Sequence, residues 1–367
     1  MKEYPKIAIV YLQFYHNKDH IDDAVTALKH VTYPKDKLEF VIVANPHPEH
    51  GSFVHYMEEA VMPLSGKEIP HVTLLAQKEN TGFAGGNNIG TDWALAHGFD
   101  YVYYHNNDGF FATNALEPLM ETLEGDKTIG AAQSLLLLHP ETDLINSTGN
   151  SMQFLGFGYC DHYRLPIKDV ALPAVREVAY ASGAALLVRA DLIKQYGAWD
   201  HDFFLYHEDL EWALRLRMSG YKVVVVRDSV FYHKYQFARS ITKFYWMERN
   251  RYGTMLMYFR WPTLLLLLPM QLVVELGLIF FSLKGGWFGE RMKVYRYWCN
   301  AKHIRMWLAK RKKTQALRKV TDRHLLSYTV SGIHFQDKMT DNWMVNYIGN
   351  PILKLYYWVV VKGLIWW

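Results

Sequence analysis

Cysteine is nearly absent: Cys160 and Cys299 are the two in 367 residues. That excludes a disulfide framework and any zinc site built on paired cysteines, and it fits a reducing compartment. An apolar leader is also missing. The opening MKEYPKIAIVYLQFY carries charges where a signal peptide needs a greasy core. It reads as the first strand of a cytoplasmic protein. The one glycine-rich stretch, ENTGFAGGNNIG (Glu79–Gly90), lacks the G-K-[ST] of a P-loop and the G-x-G-x-x-G spacing of a dinucleotide fold. Internal repeats and low-complexity linkers are absent too. The formal net charge is only +4, so no global electrostatic role stands out.

What is present is apolar and aromatic. Half of the residues are hydrophobic, with 25 Tyr, 19 Phe and 12 Trp, enough for a large core, sugar-stacking sites or membrane-interface anchors. KIAIVYLQFY (Lys6–Tyr15), LEFVIVANP (Leu38–Pro46), HVTLLAQ (His71–Gln77) and DYVYYHNND (Asp100–Asp108) read as strands. Helical spacing separates them over Asp19–Val31, through Ile21, Val25 and Leu28, and over Asn88–Gly98. Such alternation predicts an open, parallel α/β sheet, with ligands bound at the carboxyl ends of its strands. Ile145–Tyr163 reads as turns and short strands, and Tyr180–Val226 as strand, helix, loop, helix, strand.

Four signals carry chemistry. The glycine stretch reads as a strand-to-helix turn whose bare amides face an anion, or as a turn that merely packs closely. HNND (His105–Asp108) offers a carboxylate beside amides, which suits Mg²⁺ or Mn²⁺, yet Asn-Asn-Asp-Gly is also an ordinary turn. DFFLYHEDLEWALR (Asp202–Arg215) sets carboxylates at a helix start beside aromatics. A general base there and a plain acidic first turn both fit. His233 ends a strand in VFYHKYQF.

In this order the motifs resemble glycosyltransferase family 2, the inverting enzymes, and within it the rhamnosyltransferase and galactofuranosyltransferase-like members. NTGFAGGNNIG is similar to that subgroup's N-x-G-F-A-G-G-N-N-x-G. HNND falls at its D-x-D-type position, and ASGAALLVR…GAWDHDFFLYHEDLEWALR…GY follows its catalytic segment. VFYHK and ERNRY (Glu248–Tyr252) fit further segments, so the resemblance covers about residues 5–260.

The resemblance implies an α/β, GT-A-type open mixed sheet. A Rossmann-like nucleotide-sugar-binding half (1–110) and an acceptor half (111–245) would be followed by a helical extension (246–367). It implies Asp108, His233 and Asn106 as holders of Mg²⁺ or Mn²⁺, and Asp209, beside Glu208, as general base. Tyr15, Asn45, Asn80, Gly82, Gly85, Gly86, Asn87, Asn88, Asn106 and Asn107 would face the donor. Ser182, Gly183, Trp199, Asp200, His207, Glu211 and Arg249 would lie on the acceptor side. Asn45 and Asn106 stand where the family usually has Asp, and Glu211 where many members have Asp. The Q-x-x-R-W motif of processive synthases is absent, which implies addition of one or a few sugars. A bulky residue at Gly85 or Gly86 is expected to weaken donor binding before the fold.

After about Tyr245 the chain changes character. WPTLLLLLPMQLVVELGLIFFSL (Trp261–Leu283) is long enough to span a membrane, and Pro269 and Glu275 make a re-entrant or interface-lying helix pair an equal reading. Between Lys284 and Lys319 lie twelve Lys and Arg against the single acid Glu290. The chain ends NPILKLYYWVVVKGLIWW. These features predict an anionic-lipid-binding extension over 261–320 and 350–367 on the cytoplasmic face of the cell membrane, peripheral or monotopic, serving a polyprenyl-linked glycan acceptor. A helical domain with a fatty core is the plainer account, and a homodimer is compatible with either. A sugar nucleotidyltransferase and a catalytically silent glycan-binding or scaffold protein are the competing readings. Nucleic acid is not expected as a partner.

Overall fold

β-branched and aromatic runs near the N-terminus form strands buried on both faces, as parallel sheets require. The computed structural model describes residues 4–14, 17–235, 241–333 and 343–367. These fall into two units, Met1–Gly149 with Cys160–Phe204 and Lys222–Gln236, and Asn150–Tyr159 with Leu205–Tyr221 and Phe237–Trp367.

In the first unit β1 (Ile7–Gln13), β2 (Leu38–Ala44), β3 (His71–Ala76) and β4 (Tyr101–Asn106) pair in parallel in the order β3-β2-β1-β4. All seven residues of β1 and of β2 are buried. Helix α1 (Lys18–His30) starts at Asn17, whose side chain accepts from the Asp19 amide at 3.0 Å. It buries Ile21, Ala24, Val25 and Leu28, and each large side chain so buried contributes about 1.5–3 kcal/mol.

The sheet continues through a second set of strands: β5 (Gly109–Phe111), β6 (Ile129–Leu138), β7 (Ile145–Ser147), β8 (Val175–Glu177), β9 (Ala185–Arg189) and β10 (Lys222–His233). Antiparallel β9 joins β4 to β6, and β6 pairs in parallel with β10. The sheet is therefore mixed, as the family resemblance implies.

Helix α2 spans Gly82–Ala96, so the glycine stretch forms the helix's first two turns and the expected start at Asn88 is corrected. Glycine is a poor helix former, but contact with the sheet requires it here. A Cβ on Gly86 would lie 2.3 Å from Leu12 Cδ1 and 3.1 Å from Asn45 Nδ2. The unit also holds α3 (Leu116–Gly125) and α4 (Ala190–Tyr196).

The second unit is mostly helical: α5 (Glu208–Met218), α6 (Ile241–Tyr258), α7 (Trp261–Lys284), α8 (Phe288–Trp298), α9 (Ala301–Ala316), α10 (Asp322–Ser327) and α11 (Asn350–Tyr356). Wider π-type turns, Val345–Gly349 and Tyr357–Leu364, continue α11 on both sides. The apolar run is one helix, α7, with Pro269 inside it, and the expected helix pair is corrected. Buried charges clamp α6, α7 and α8 together. Glu248 accepts from Arg251 at 2.9 Å and from Arg291 at 2.6 Å. Glu275 accepts from Arg291, Tyr295 and Tyr252. Burial raises the Glu248 carboxyl, but the two arginines outweigh that and bring it down to about 2. Arg291 and Arg311 are thus buried, Arg311 on the Phe259 carbonyl at 2.5 Å, so neither belongs to the basic surface expected of them.

Candidate active site

The first unit gathers its polar residues where β4 and β10 end. Gly109 of β5 pairs opposite His233, the last residue of β10. A Cβ on Gly109 would lie 2.3 Å from the Phe231 ring and 2.6 Å from the Tyr232 carbonyl. The absent side chain thus lets the Asp108–Gly109 backbone press against β10, and the Lys234 amide bonds Asp108 O at 2.7 Å. This seats Asp108 Oδ1 2.9 Å from His233 Nε2. Asn106 Nδ2 lies 2.5 Å from that carboxylate oxygen and 3.3 Å from the imidazole nitrogen. Burial pushes the Asp108 carboxyl up, but the neighbouring His233 charge and hydrogen bond hold it below the ordinary aspartate value.

His233 is oriented from behind. Its Nδ1 lies 2.8 Å from Asn146 Oδ1, in β7. In that contact Nδ1–H donates to the Asn146 amide oxygen, and Nε2 is turned toward Asp108. Metal-binding histidines are commonly fixed this way. A carboxylate oxygen and an imidazole nitrogen are donors of the kind Mn²⁺ or Mg²⁺ takes, while Asn106 turns its Nδ2, not its ligating oxygen, toward them. Sequence reasoning missed Asn146, because an Asn between Ile145 and Ser147 reads as turn punctuation.

Of the two readings of the glycine stretch, its hydrogen bonds fit the close-packing turn. The Gly82 amide donates to Asn80 Oδ1 at 2.9 Å, and the Phe83 and Ala84 amides donate to the Phe204 carbonyl at 2.8 and 3.4 Å. These first-turn donors are spent inside the protein. Asn45, buried at the end of β2, holds the same segment: its Oδ1 accepts from Thr81 at 3.0 Å and its Nδ2 reaches Gly82 O at 3.3 Å. Asn87 donates to Phe83 O, and Asn88 exchanges two hydrogen bonds with the Trp199 backbone. The Asn107 carbonyl accepts from Tyr11 at 3.3 Å. Gly85 has only Thr81 close to the space a Cβ would take. Tyr15 lies outside the described residues.

Beyond β1 and β2, Phe14 packs on His47 at 5.0 Å and His47 stacks on His50 at 4.7 Å. This aromatic group stands where parallel strands end and was not singled out from sequence. Among the acceptor-side candidates of this unit, Ser182 takes a bond from its amide to Gln133 at 2.7 Å. Trp199 packs edge-on to Tyr104, and Gly183 leaves space that Phe83 and Trp199 close. Asp200 caps a short turn by accepting from the Asp202 amide at 3.1 Å.

In the second unit, α5 begins directly after a strained approach. Phe204, Tyr206 and His207 all have positive φ, between 62° and 67°. Such backbone costs energy and clusters at functional sites. Glu208 is buried, its Oε2 has no partner among the described residues, and burial followed by the Asp209 charge pushes its carboxyl well above the usual range. Asp209 is half-buried and accepts from the Leu210 amide at 2.7 Å. Burial thus favours the neutral form of the Glu208 carboxyl. Burial lowers His207 to about 4, and its Nε2 lies 3.1 Å from Gly156 O. Glu211 is occupied by the Arg215 guanidinium and by Tyr258 at 2.5 Å. Arg249 is buried, with its guanidinium 4.3 Å from the Trp246 ring.

A family model described as "Glycosyltransferase like family 2" matches residues 5–253. The chain belongs to that family. No curated protein matches this family 2 chain. Among solved structures, GalNAc-T7 with UDP, GalNAc and Mn²⁺ is similar with a TM-score of 0.52 at 12% identity, over 69% of this chain and 48% of that one. The chain thus spans about half the length of that neighbour, and at this identity the likeness speaks for the GT-A fold alone. The mannosyltransferase PcManGT from Pyrobaculum calidifontis, in complex with GDP-Man and Mn²⁺, is similar at a TM-score of 0.45 and 17% identity, over 70% and 63% of the two chains. Residues 1–349 of S. aureus TarS give 0.46 and 12%, over 98% and 90%.

Proposed function

We propose that this family 2 protein transfers one sugar, with inversion, from a nucleoside diphosphate sugar to a hydroxyl of a lipid-linked glycan. The observation that carries the reading is the Asp108–His233 pair, 2.9 Å apart at the ends of two strands and backed by Asn146. A divalent ion held by Asp108 and His233, with Asn106 beside it, would neutralise charge on the leaving diphosphate. Asp209 accepts the proton of the acceptor hydroxyl. The hydroxyl oxygen forms the new bond to the anomeric carbon as the bond from that carbon to the diphosphate oxygen breaks, and the nucleoside diphosphate leaves with the electron pair. A single displacement inverts the anomeric configuration. The Phe14–His47 group lies beyond the ends of β1 and β2, where it suits the nucleotide. Motif likeness favours a rhamnosyl or galactofuranosyl donor, and the missing Q-x-x-R-W motif favours one or few additions in cell-surface polysaccharide synthesis.

The second unit supports a membrane-bound acceptor. Leu265, Leu268, Leu272, Leu276 and Leu283 line an exposed stripe of α7, with Leu276 69% exposed. Ile348, Ile352, Leu355 and Val359 form another on the C-terminal helix. Tyr356 and Trp367 tie that helix to α7 through Leu266 O at 2.5 Å and Thr263 Oγ1 at 2.9 Å. Gln271 and Glu275 of α7, beside the stripe, are bound to the buried arginines. A helix with one face held in a charged protein network and one bare apolar face suits lying in the interface, not crossing it. Exposed Trp358, Trp366, Lys284, Lys302, Arg305, Lys312 and Lys313 add aromatic and cationic anchors.

A thermal-shift panel of dTDP-rhamnose, UDP-galactofuranose, UDP-glucose, UDP-N-acetylglucosamine and GDP-mannose, with and without Mn²⁺, tests the donor reading. One donor should raise the melting temperature only with the metal. No shift with any donor in Mn²⁺ would remove it.

A further inference from the structure

An open groove of about 540 Å³ in the helical unit is absorbed by none of the roles above. Its lining comes from α6, α8 and α9, and includes Tyr245, Trp246, Tyr297 and His303. Tyr245 and Trp246 meet edge to face at 5.2 Å, and His303 stacks on Tyr297 at 3.9 Å. His303 Nδ1 donates to the Tyr297 carbonyl at 2.9 Å, and Nε2 can donate to a phosphate oxygen when the ring is an imidazolium. Arg296 and Lys293 are exposed at the rim, with Lys293 paired to Glu290 at 2.7 Å. Behind the rings lies the buried Arg249 guanidinium, 4.3 Å from Trp246 and 5.1 Å from Tyr297. The groove thus joins aromatic surface, which packs on the C–H face of a sugar, to a positive surplus that attracts an anion.

The groove is also wired to the catalytic loop of its own unit. Arg249 donates to Asn250 Oδ1 at 2.9 and 2.7 Å. Asn250 Nδ2 in turn donates to the carbonyls of Leu205 at 3.1 Å and Tyr206 at 2.7 Å. Those two residues lie in the strained turn that precedes Asp209. Arg249 and Asn250 therefore link the groove to that turn, which gives the ERNRY motif a physical task.

We propose that this groove binds a sugar phosphate, the anionic end of the lipid-linked acceptor, with the sugar on Trp246 and Tyr297 and the phosphate on Arg296 and His303. This rests on the lipid-linked-acceptor reading above. The phosphate chemistry is shared by a soluble hexose phosphate, so the test separates the two sources.

The full-length chain is titrated calorimetrically with inorganic phosphate, with glucose, galactose and N-acetylglucosamine 1-phosphates, and with short-chain prenyl diphosphate conjugates of the same sugars. At least one hexose 1-phosphate should bind tenfold or more tightly than phosphate, and its prenyl conjugate more tightly still. Arg296→Glu and His303→Ala should each weaken that binding at least tenfold and raise KM for the acceptor, leaving the metal-dependent thermal shift with donor unchanged. Arg296 is exposed, so its replacement spares the fold. Phosphate binding as tightly as every sugar phosphate, or both variants staying within twofold of wild type, would overturn the proposal. Equal binding of free and prenyl-linked probes would overturn the acceptor assignment. Absence of the donor shift in wild type would sink the transferase reading instead, and it does not involve this groove.

Discussion

Asn146 Oδ1 and His233 Nδ1 lie 2.8 Å apart, 87 residues apart in the chain. The contact fixes which imidazole nitrogen faces Asp108. Removing it in Asn146→Ala should let the ring turn and cost ten- to a hundredfold in metal affinity. Mn²⁺ titration followed by electron paramagnetic resonance reads this directly. An unchanged dissociation constant would reduce Asn146 to a core residue.

Glu208 offers a pH test. Its carboxyl is raised above its unfolded value, so the folded chain holds a proton that the unfolded chain releases. The stability this provides is complete below the unfolded glutamate pKa, about 4.3, and is lost as pH rises toward the folded value. Glu208→Gln mimics the neutral form at every pH. Its melting temperature relative to wild type should therefore climb as pH rises above about 4.5. A difference that stays flat over that rise would refute the buried neutral carboxyl. Transfer by Glu208→Gln should remain within roughly tenfold of wild type, since general-base loss at a true base costs roughly 10²–10⁴-fold.

Gly86 separates packing from binding. The space a side chain needs is filled by Leu12 and Asn45. Gly86→Val should destabilise the protein by about 1–3 kcal/mol or more, measured by urea unfolding. Gly85→Ala should cost much less, because only Thr81 lies close by. A Gly86→Val protein of normal stability and weakened donor binding would reverse this reading.

The apolar stripes make a separate prediction. Leu276→Asp combined with Leu355→Asp should abolish flotation with vesicles containing anionic lipid and raise solubility, with donor binding kept. Those side chains are 69% and 68% exposed, so the change spares the core. Undiminished flotation would place the membrane contact elsewhere.

The strands were legible because β1, β2 and β4 are continuous apolar runs, and their carboxyl ends brought Asn45, Asn106 and Asp108 into view. The glycine stretch was not, because a local reading sees glycine as a turn former. The force that makes it helix comes from Leu12, on another strand. Glu211 looked like one more acid of a catalytic motif, yet Arg215 and Tyr258 occupy it. The basic block was half legible, since Arg291 and Arg311 find partners in helices distant in sequence. Asn146 carries no local signal at all, as its meaning exists only where β7 meets His233.

In the proposed reaction Asp209 is the base of a metal-dependent transfer. The direct measurement is transfer of radiolabelled sugar from the donor that the thermal-shift panel selects to lipid-linked acceptor extracted from membranes, by wild type and by Asp209→Asn, in Mn²⁺ and in chelator. Wild type should yield product in Mn²⁺ alone. Asp209→Asn should bind donor normally and transfer at least roughly a hundredfold more slowly. Equal transfer by Asp209→Asn, or transfer undiminished by chelator, would contradict that reaction.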